Sequence, residues 1–137
     1  MASLTGPTGT VSVSLRRGIE TRPATLLWWR GDPYRVELDD GTGRCVGTGP
    51  DLFAALVELR RCLDADGWLP AVRGGRLDAY PSGMAREMGG GERVYINRMG
   101  RAAETADLVD TLEPEPDAST LASVADQLRY HEDWLAS

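Results

Sequence analysis

The first third of the chain is written largely in a period of two. Val11-Ser12-Val13-Ser14-Leu15 alternates apolar and polar residues, and Tyr34, Val36 and Leu38 alternate with Arg35, Glu37 and Asp39. Such alternation sends successive side chains to opposite faces, so both stretches predict half-buried strands. Ala24 to Arg30 is rich in residues that favour strands, and Arg44-Cys45-Val46-Gly47 follows a turn at Asp40-Gly41-Thr42-Gly43. Asp-Gly between two strand patterns is a short-range hairpin cue. The four segments together predict an antiparallel meander.

The period then changes. Leu52, Leu56, Leu59 and Leu63 recur at helical spacing, and Phe53, Val57 and Cys62 widen the stripe. Gly49-Pro50-Asp51 opens this helix, since proline fits the first turn and an acid suits its positive end. Gly67 ends it. Glu58, Arg60, Arg61 and Asp64 are expected to face away from the core. Trp68 to Val72 predicts a strand, placed at an edge or bulge by Pro70. Arg93 to Arg98 predicts another, and Ala106 to Leu112 a last strand or a single helical turn. Glu113-Pro114-Glu115-Pro116-Asp117 excludes a helix interior. Ser119 or Thr120 is placed to cap a final helix running to Leu135.

Between these elements, residues 78–91 show neither period. Asp78-Ala79-Tyr80-Pro81-Ser82-Gly83-Met84-Ala85-Arg86-Glu87-Met88-Gly89-Gly90-Gly91 carries an aromatic and two methionines inside glycine brackets. Long irregular segments in small domains are functional or disordered, and these side chains favour an ordered surface loop. The predicted fold is α+β: a mostly antiparallel sheet of six to seven strands with two helices packed on it. It occupies residues 11–137 as a single domain behind a flexible lead-in at residues 1–10.

The chain's 137 residues suffice for a real core. Met1 to Thr10 lacks the charge and apolar run of a secretory signal, and no stretch approaches the length of a membrane helix. Two cysteines without close spacing, Cys45 and Cys62, predict free buried thiols in a reducing, cytoplasmic setting. The net charge of −6 is concentrated at one end. Residues 104–137 hold nine acids against Arg129, a balance that argues against nucleic acid and allows attraction to a basic protein.

Catalytic and metal chemistry find little purchase. His131 is the one histidine, and a lone helical histidine without orienting partners reads as a packed or surface residue. Cys45, Cys62 and His131 lack the paired spacing of a zinc site. The absence of any cofactor motif predicts a chain that is no enzyme, with no cofactor and no metal. Gly89-Gly90-Gly91 has the composition of a backbone anion nest, which with Arg86 gives a second reading as a phosphate or small-ligand binder. Gly-Lys-Ser/Thr is missing, so the run is no P-loop. Arg73, Arg76, Arg86, Arg93, Arg98 and Arg101 surround the loop, and internal pairing with carboxylates is the simpler account of them. A third reading is a non-catalytic structural subunit, which exposed Trp28 or Trp29 would support.

The stretch Ala79 to Gly91, with Val94-Tyr95, Asp107-Leu108-Val109-Asp110, Ser123 to Gln127, Trp134 to Ser137 and Asp66-Gly67-Trp68, resembles a group of small bacterial proteins. Some of that group are similar to immunity proteins of contact-dependent or polymorphic toxin systems. The resemblance covers about the last two-thirds of the chain. It implies a partner protein, a cognate toxin neutralised by occlusion of its active surface. On that expectation Asp107, Asp110, Glu113, Glu115 and Asp117 face a basic toxin, and Tyr80, Met84 and Arg86 add contacts from the loop.

Overall fold

The structure is a computed structural model that describes residues 6–137. Much of the expected lead-in lies outside the described residues, and its last two, Gly9 and Thr10, already belong to a strand. The meander forms as the alternation requires. Strands β1 (Gly9–Arg17), β2 (Glu20–Trp29), β3 (Tyr34–Asp39) and β4 (Arg44–Gly49) pair antiparallel in sequence, and β5 (Leu69–Pro70) adds to the far side of β1. Val13, Leu15, Ala24, Leu26, Val36 and Leu38 point to the core. Ser12, Thr25, Arg35 and Glu37 take the opposite positions, as the period of two dictates.

Helix α1 (Leu52–Asp64) begins where the sequence places it. Asp51 caps it, accepting the Ala54 N–H at 2.7 Å. At the other end the Trp68 N–H returns to the Leu63 carbonyl at 3.1 Å, past Gly67. Its leucine stripe lies against the five-stranded sheet; Leu56 and Leu59 are fully buried. Truncating Leu59 to alanine is expected to cost about 2–5 kcal/mol in chemical denaturation, the range for a buried leucine that leaves a cavity.

The widened edge of the stripe has a purpose of its own. Phe53 and Val57 form a second, smaller core with Ala79, Val94, Tyr80, Ile96 and Val109. That core belongs to a separate three-stranded antiparallel sheet of β6 (Ala79–Tyr80), β7 (Arg93–Ile96) and β8 (Leu108–Asp110), in the order β6-β7-β8. The architecture is α+β, but α1 is wedged between two sheets rather than laid on one.

Several expectations are corrected. Among the described residues there are three α-helices, not two: α2 (Gly83–Gly89) lies inside the stretch read as a loop. The strand expected from Trp68 shrinks to Leu69–Pro70, because proline has no N–H to donate to a ladder and the chain enters a 3₁₀ turn at Arg73–Gly75. Residues 106–112 divide between a 3₁₀ turn (Thr105–Asp107) and β8. The last helix, α3 (Val124–Leu135), is capped by Ser123 and not by Ser119 or Thr120, which sit in a 3₁₀ turn of their own. Cys45 and Cys62 are joined in a disulfide that ties β4 to α1, so neither thiol is free. Closing a loop of that separation is worth about 3 kcal/mol in the chain-entropy account.

Arg60 is the largest departure. Expected on the solvent face, it is fully buried. Its guanidinium donates to Gln127 Oε1 at 2.6 Å, to the Ala122 carbonyl at 2.9 Å and to the Gly74 carbonyl at 3.4 Å. Gln127, also buried, donates onward to the carbonyls of Gly74 and Arg76 at 2.9 and 2.8 Å. These carbonyls stand in for water around the cation. Burial pushes the Arg60 guanidinium down to about 10, still charged at neutral pH, and nearby Asp64 partly offsets that push. The cluster fastens α3 and the irregular 73–76 and 118–122 segments to α1.

Candidate functional site

The segment that resisted periodicity is a short helix moored at both ends. Tyr80 ends β6, Pro81 turns the chain, and Ser82 caps α2 by accepting the Ala85 N–H at 3.0 Å. At the other end Gly90 and Gly91 both adopt φ +64, a region that glycine enters without steric penalty. Their N–H groups return to the Arg86 and Ala85 carbonyls, and the Gly90 carbonyl accepts the Leu52 N–H at 2.8 Å. A Cβ on Gly90 would strike the Tyr34 hydroxyl, and one on Gly91 would lie 2.8 Å from Asp51 Oδ1. The glycine run therefore lets the end of α2 meet the start of α1. Its amides are spent on the helix end, where carbonyls gather, and no anion nest forms.

The two sides of α2 differ. On the inner side the Arg86 guanidinium lies over Phe53 and Tyr80, 5.3 and 5.6 Å from the ring centres, and 3.6 Å from Asp51. Arg86 is thus a clamp on the mooring, as is Glu92 just beyond the helix. Glu92 receives the Tyr34 hydroxyl at 2.6 Å and a two-pronged contact from Arg30, both bonds 2.7 Å. The Arg30 hydrogen bond holds the Glu92 carboxyl below its ordinary value of 4.5, against the opposing effect of burial. Because the folded-state value is depressed, this contribution is complete above pH 4.5 and is lost as the pH falls through the folded value. Glu92→Gln is expected to lower stability at pH 7 and to flatten the acid limb of a pH–stability profile.

On the outer side Met84 and Met88 are 73% and 83% exposed, and no residue of α2 is buried. Beside them runs a groove of about 430 Å³ whose walls include Tyr95, Leu108 and Arg93. Tyr95 was legible in principle: on a strand whose neighbour Val94 points inward, it must point the other way.

Tyr80 leads to the third element. Its ring stacks on His131, with centres 3.7 Å apart and planes within 8°, and His131 faces Trp134 at 5.8 Å. Burial, and after it the Arg86 charge, lower the imidazole from its ordinary value of 6.5 and so favour its neutral form. No hydrogen bond reaches its buried Nδ1 among the described residues. His131 works here as a packed ring.

The acidic segment is interleaved with the arginines. Asp107 lies 3.9 Å from Arg98, Asp110 3.5 Å from Arg93 and Glu113 3.4 Å from Arg73. Glu115 is buried and holds Arg76 at 2.9 Å, while Arg76 also grips Asp78 through two bonds of 2.8 and 2.9 Å. Asp117 accepts the Ser119 hydroxyl and N–H, which lowers its carboxyl from the ordinary value. Of the five acids expected to face a partner, Glu115 points inward, because only there does it meet Arg76. The rest lie at or near the surface with arginines or turn donors beside them, so their outward field is muted. The structure gathers Tyr80, Met84 and Arg86 around α2 and leaves Glu113, Glu115 and Asp117 on the separate segment after β8.

Among the described residues no group of three or more His, Cys, Asp or Glu side chains is placed to hold a metal ion, and no helix is long and apolar enough to cross a membrane. No protein-family model matches the chain, and no curated protein matches it.

Proposed function

We propose that the chain is an immunity-type binding protein that neutralises a cognate bacterial toxin by covering its active surface. The contact face is the outer side of α2 with its adjoining groove. The observation that carries this reading is the exposure of Met84 and Met88 on a helix fastened beneath by Asp51, Arg86 and the glycine hinge. Methionine is a flexible apolar side chain suited to filling a partner's irregular surface. A fixed backbone under it reduces the ordering that association requires. Tyr95 and Arg93 at the groove are of the types that dominate binding energy at interfaces.

In this reading the α2 face supplies affinity, and the paired acids around Asp107 to Asp117 supply at most a weak attraction to a basic toxin. No cofactor, metal, nucleic acid or membrane is required. The expectation of a cytoplasmic protein rested in part on free thiols. The Cys45–Cys62 bond removes that ground, since oxidising compartments are the ones that preserve disulfides.

The phosphate-binding alternative gains nothing from the geometry, because the Gly90 and Gly91 amides are occupied and Arg86 is engaged by Asp51 and two rings. The structural-subunit alternative fares similarly: Trp28 and Trp29 are half-buried, each with an arginine over its ring. The test is growth. Cells killed by a candidate cognate toxin, such as a toxin found encoded beside this gene, should survive when the chain is co-expressed with it. Continued killing despite soluble, folded chain would overturn the proposal.

A further inference from the structure

The two ends of the Cys45–Cys62 bond differ in exposure. Cys62, in the last turn of α1, is exposed, although the leucines beside it are buried. Cys45 is half-buried and packs against the main core from β4. Among the described residues β4 is the last strand of its sheet, and β3 and α1 are its principal neighbours. The bond therefore lies at an open flank of the molecule. Exposed disulfides are the ones that exchange with thiols while a chain stays folded.

Two features select the sulfur that is attacked. The first is access: solvent reaches Cys62, and the core shields Cys45. The second is the charge left on the departing sulfur. Cys62 sits at the negative end of α1, with Glu58 one turn before it, and both disfavour a thiolate there. Arg61 lies 3.7 Å from Glu58 and offsets that side chain in part, but the helix end remains. Departure from Cys45 avoids this position. Partial burial works against a thiolate on Cys45, so access carries the choice and the helix end supports it.

We propose that Cys62 is a modification site for a small thiol such as glutathione, and that Cys45 is its resolving partner. The small thiol gives up its proton, and its thiolate bonds to Cys62 Sγ. The Cys45–Cys62 bond breaks, and its electron pair leaves on Cys45 Sγ, which takes up the proton. One disulfide replaces another, so no outside oxidant is needed. With the two Cα atoms 6.1 Å apart, Cys45 can attack Cys62 again and expel the small thiol. A second small thiol that attacks the added sulfur instead leaves as the symmetrical disulfide and frees both cysteines. The bond is thus a latch between β4 and α1 that follows the surrounding thiol pool. The latch is independent of toxin binding, since it uses neither Met84 nor Met88.

The probe is reduced glutathione at millimolar concentration, added to the natural full chain at neutral pH without denaturant. Free thiols are then blocked with N-ethylmaleimide, and the peptides are mapped by mass spectrometry. The expected product carries glutathione on Cys62 and the block on Cys45, with circular dichroism still native. Glutathione on Cys45 to an equal or greater extent overturns the assignment. A bond that stays intact until denaturant unfolds the chain overturns the proposal outright. Cys45→Ser removes the resolving thiol. With oxidised glutathione this variant is expected to retain the adduct on Cys62, and the natural chain, reduced beforehand, to lose it by closing its own bond. An adduct equally lasting on both would contradict resolution by Cys45. The mapping uses the unaltered chain, so it decides which sulfur is modified even where Cys45→Ser fails to fold.

Discussion

Arg60→Ala is expected to lower the unfolding free energy by about 3–5 kcal/mol, among the largest effects of any single substitution in the chain. The truncation leaves Gln127 Oε1 and the Ala122 carbonyl without their donor, and it opens a cavity between α1 and α3. The Gly74 carbonyl keeps its bond from Gln127, so the damage is limited to two orphaned acceptors and the lost volume. Arg60→Met separates these terms, since it restores most of the volume but none of the donors, and should fall between the natural chain and Arg60→Ala. Denaturant midpoints measure both. A loss below about 1 kcal/mol for Arg60→Ala would mean that the buried guanidinium contributes no more than an ordinary surface side chain.

The second large effect concerns binding. Met84→Glu with Met88→Glu places two charges on the outer face of α2, where the proposed partner buries apolar surface. Removing an anchor residue from an interface costs more than about 1 kcal/mol, and two such losses totalling about 3 kcal/mol should weaken toxin binding by about a hundredfold or more. Both side chains are exposed in the folded chain, so thermal stability should hardly change. Asp110→Arg with Asp117→Arg serves as the contrast. Reversing these surface acids should slow association at low ionic strength, an effect that fades as salt rises. If the acid reversals prove the more damaging pair at physiological salt, affinity lies in the acidic segment and not in α2.

The meander and α1 were legible because both obey strict periods. Tyr34, Val36 and Leu38 can be buried together only on a strand, and the leucines of α1 only on a helix. Three features escaped for separate reasons. The helix Gly83–Gly89 has no buried residue, so no apolar stripe announces it; the signal was Ser82 three residues before Ala85, a capping arrangement rather than a period. Arg60 carries a charge, and its burial depends on carbonyls from residues 74 and 122, which no local pattern reveals. The division into two sheets rests on Phe53 and Val57 facing a different core from Leu52 and Leu56, a choice made by tertiary packing.

The candidate site was half legible. Tyr80, Met84 and Arg86 were singled out by composition within a glycine-bracketed segment, and all three lie at α2. Their roles divide, with Arg86 clamped inward and Met84 outward. The acids were read as one charged face because the sequence shows their sign and not their partners. Glu115 meets Arg76 from 39 positions away, a pairing that only the assembled fold makes visible.

Titrating the activity of the proposed cognate toxin with purified chain tests the proposed α2 contact most directly. The natural protein should inhibit saturably, and the Met84→Glu, Met88→Glu variant should require a concentration about a hundredfold higher, with matching melting temperatures. Equal inhibition by the two proteins would show that the α2 face is not where the toxin is held.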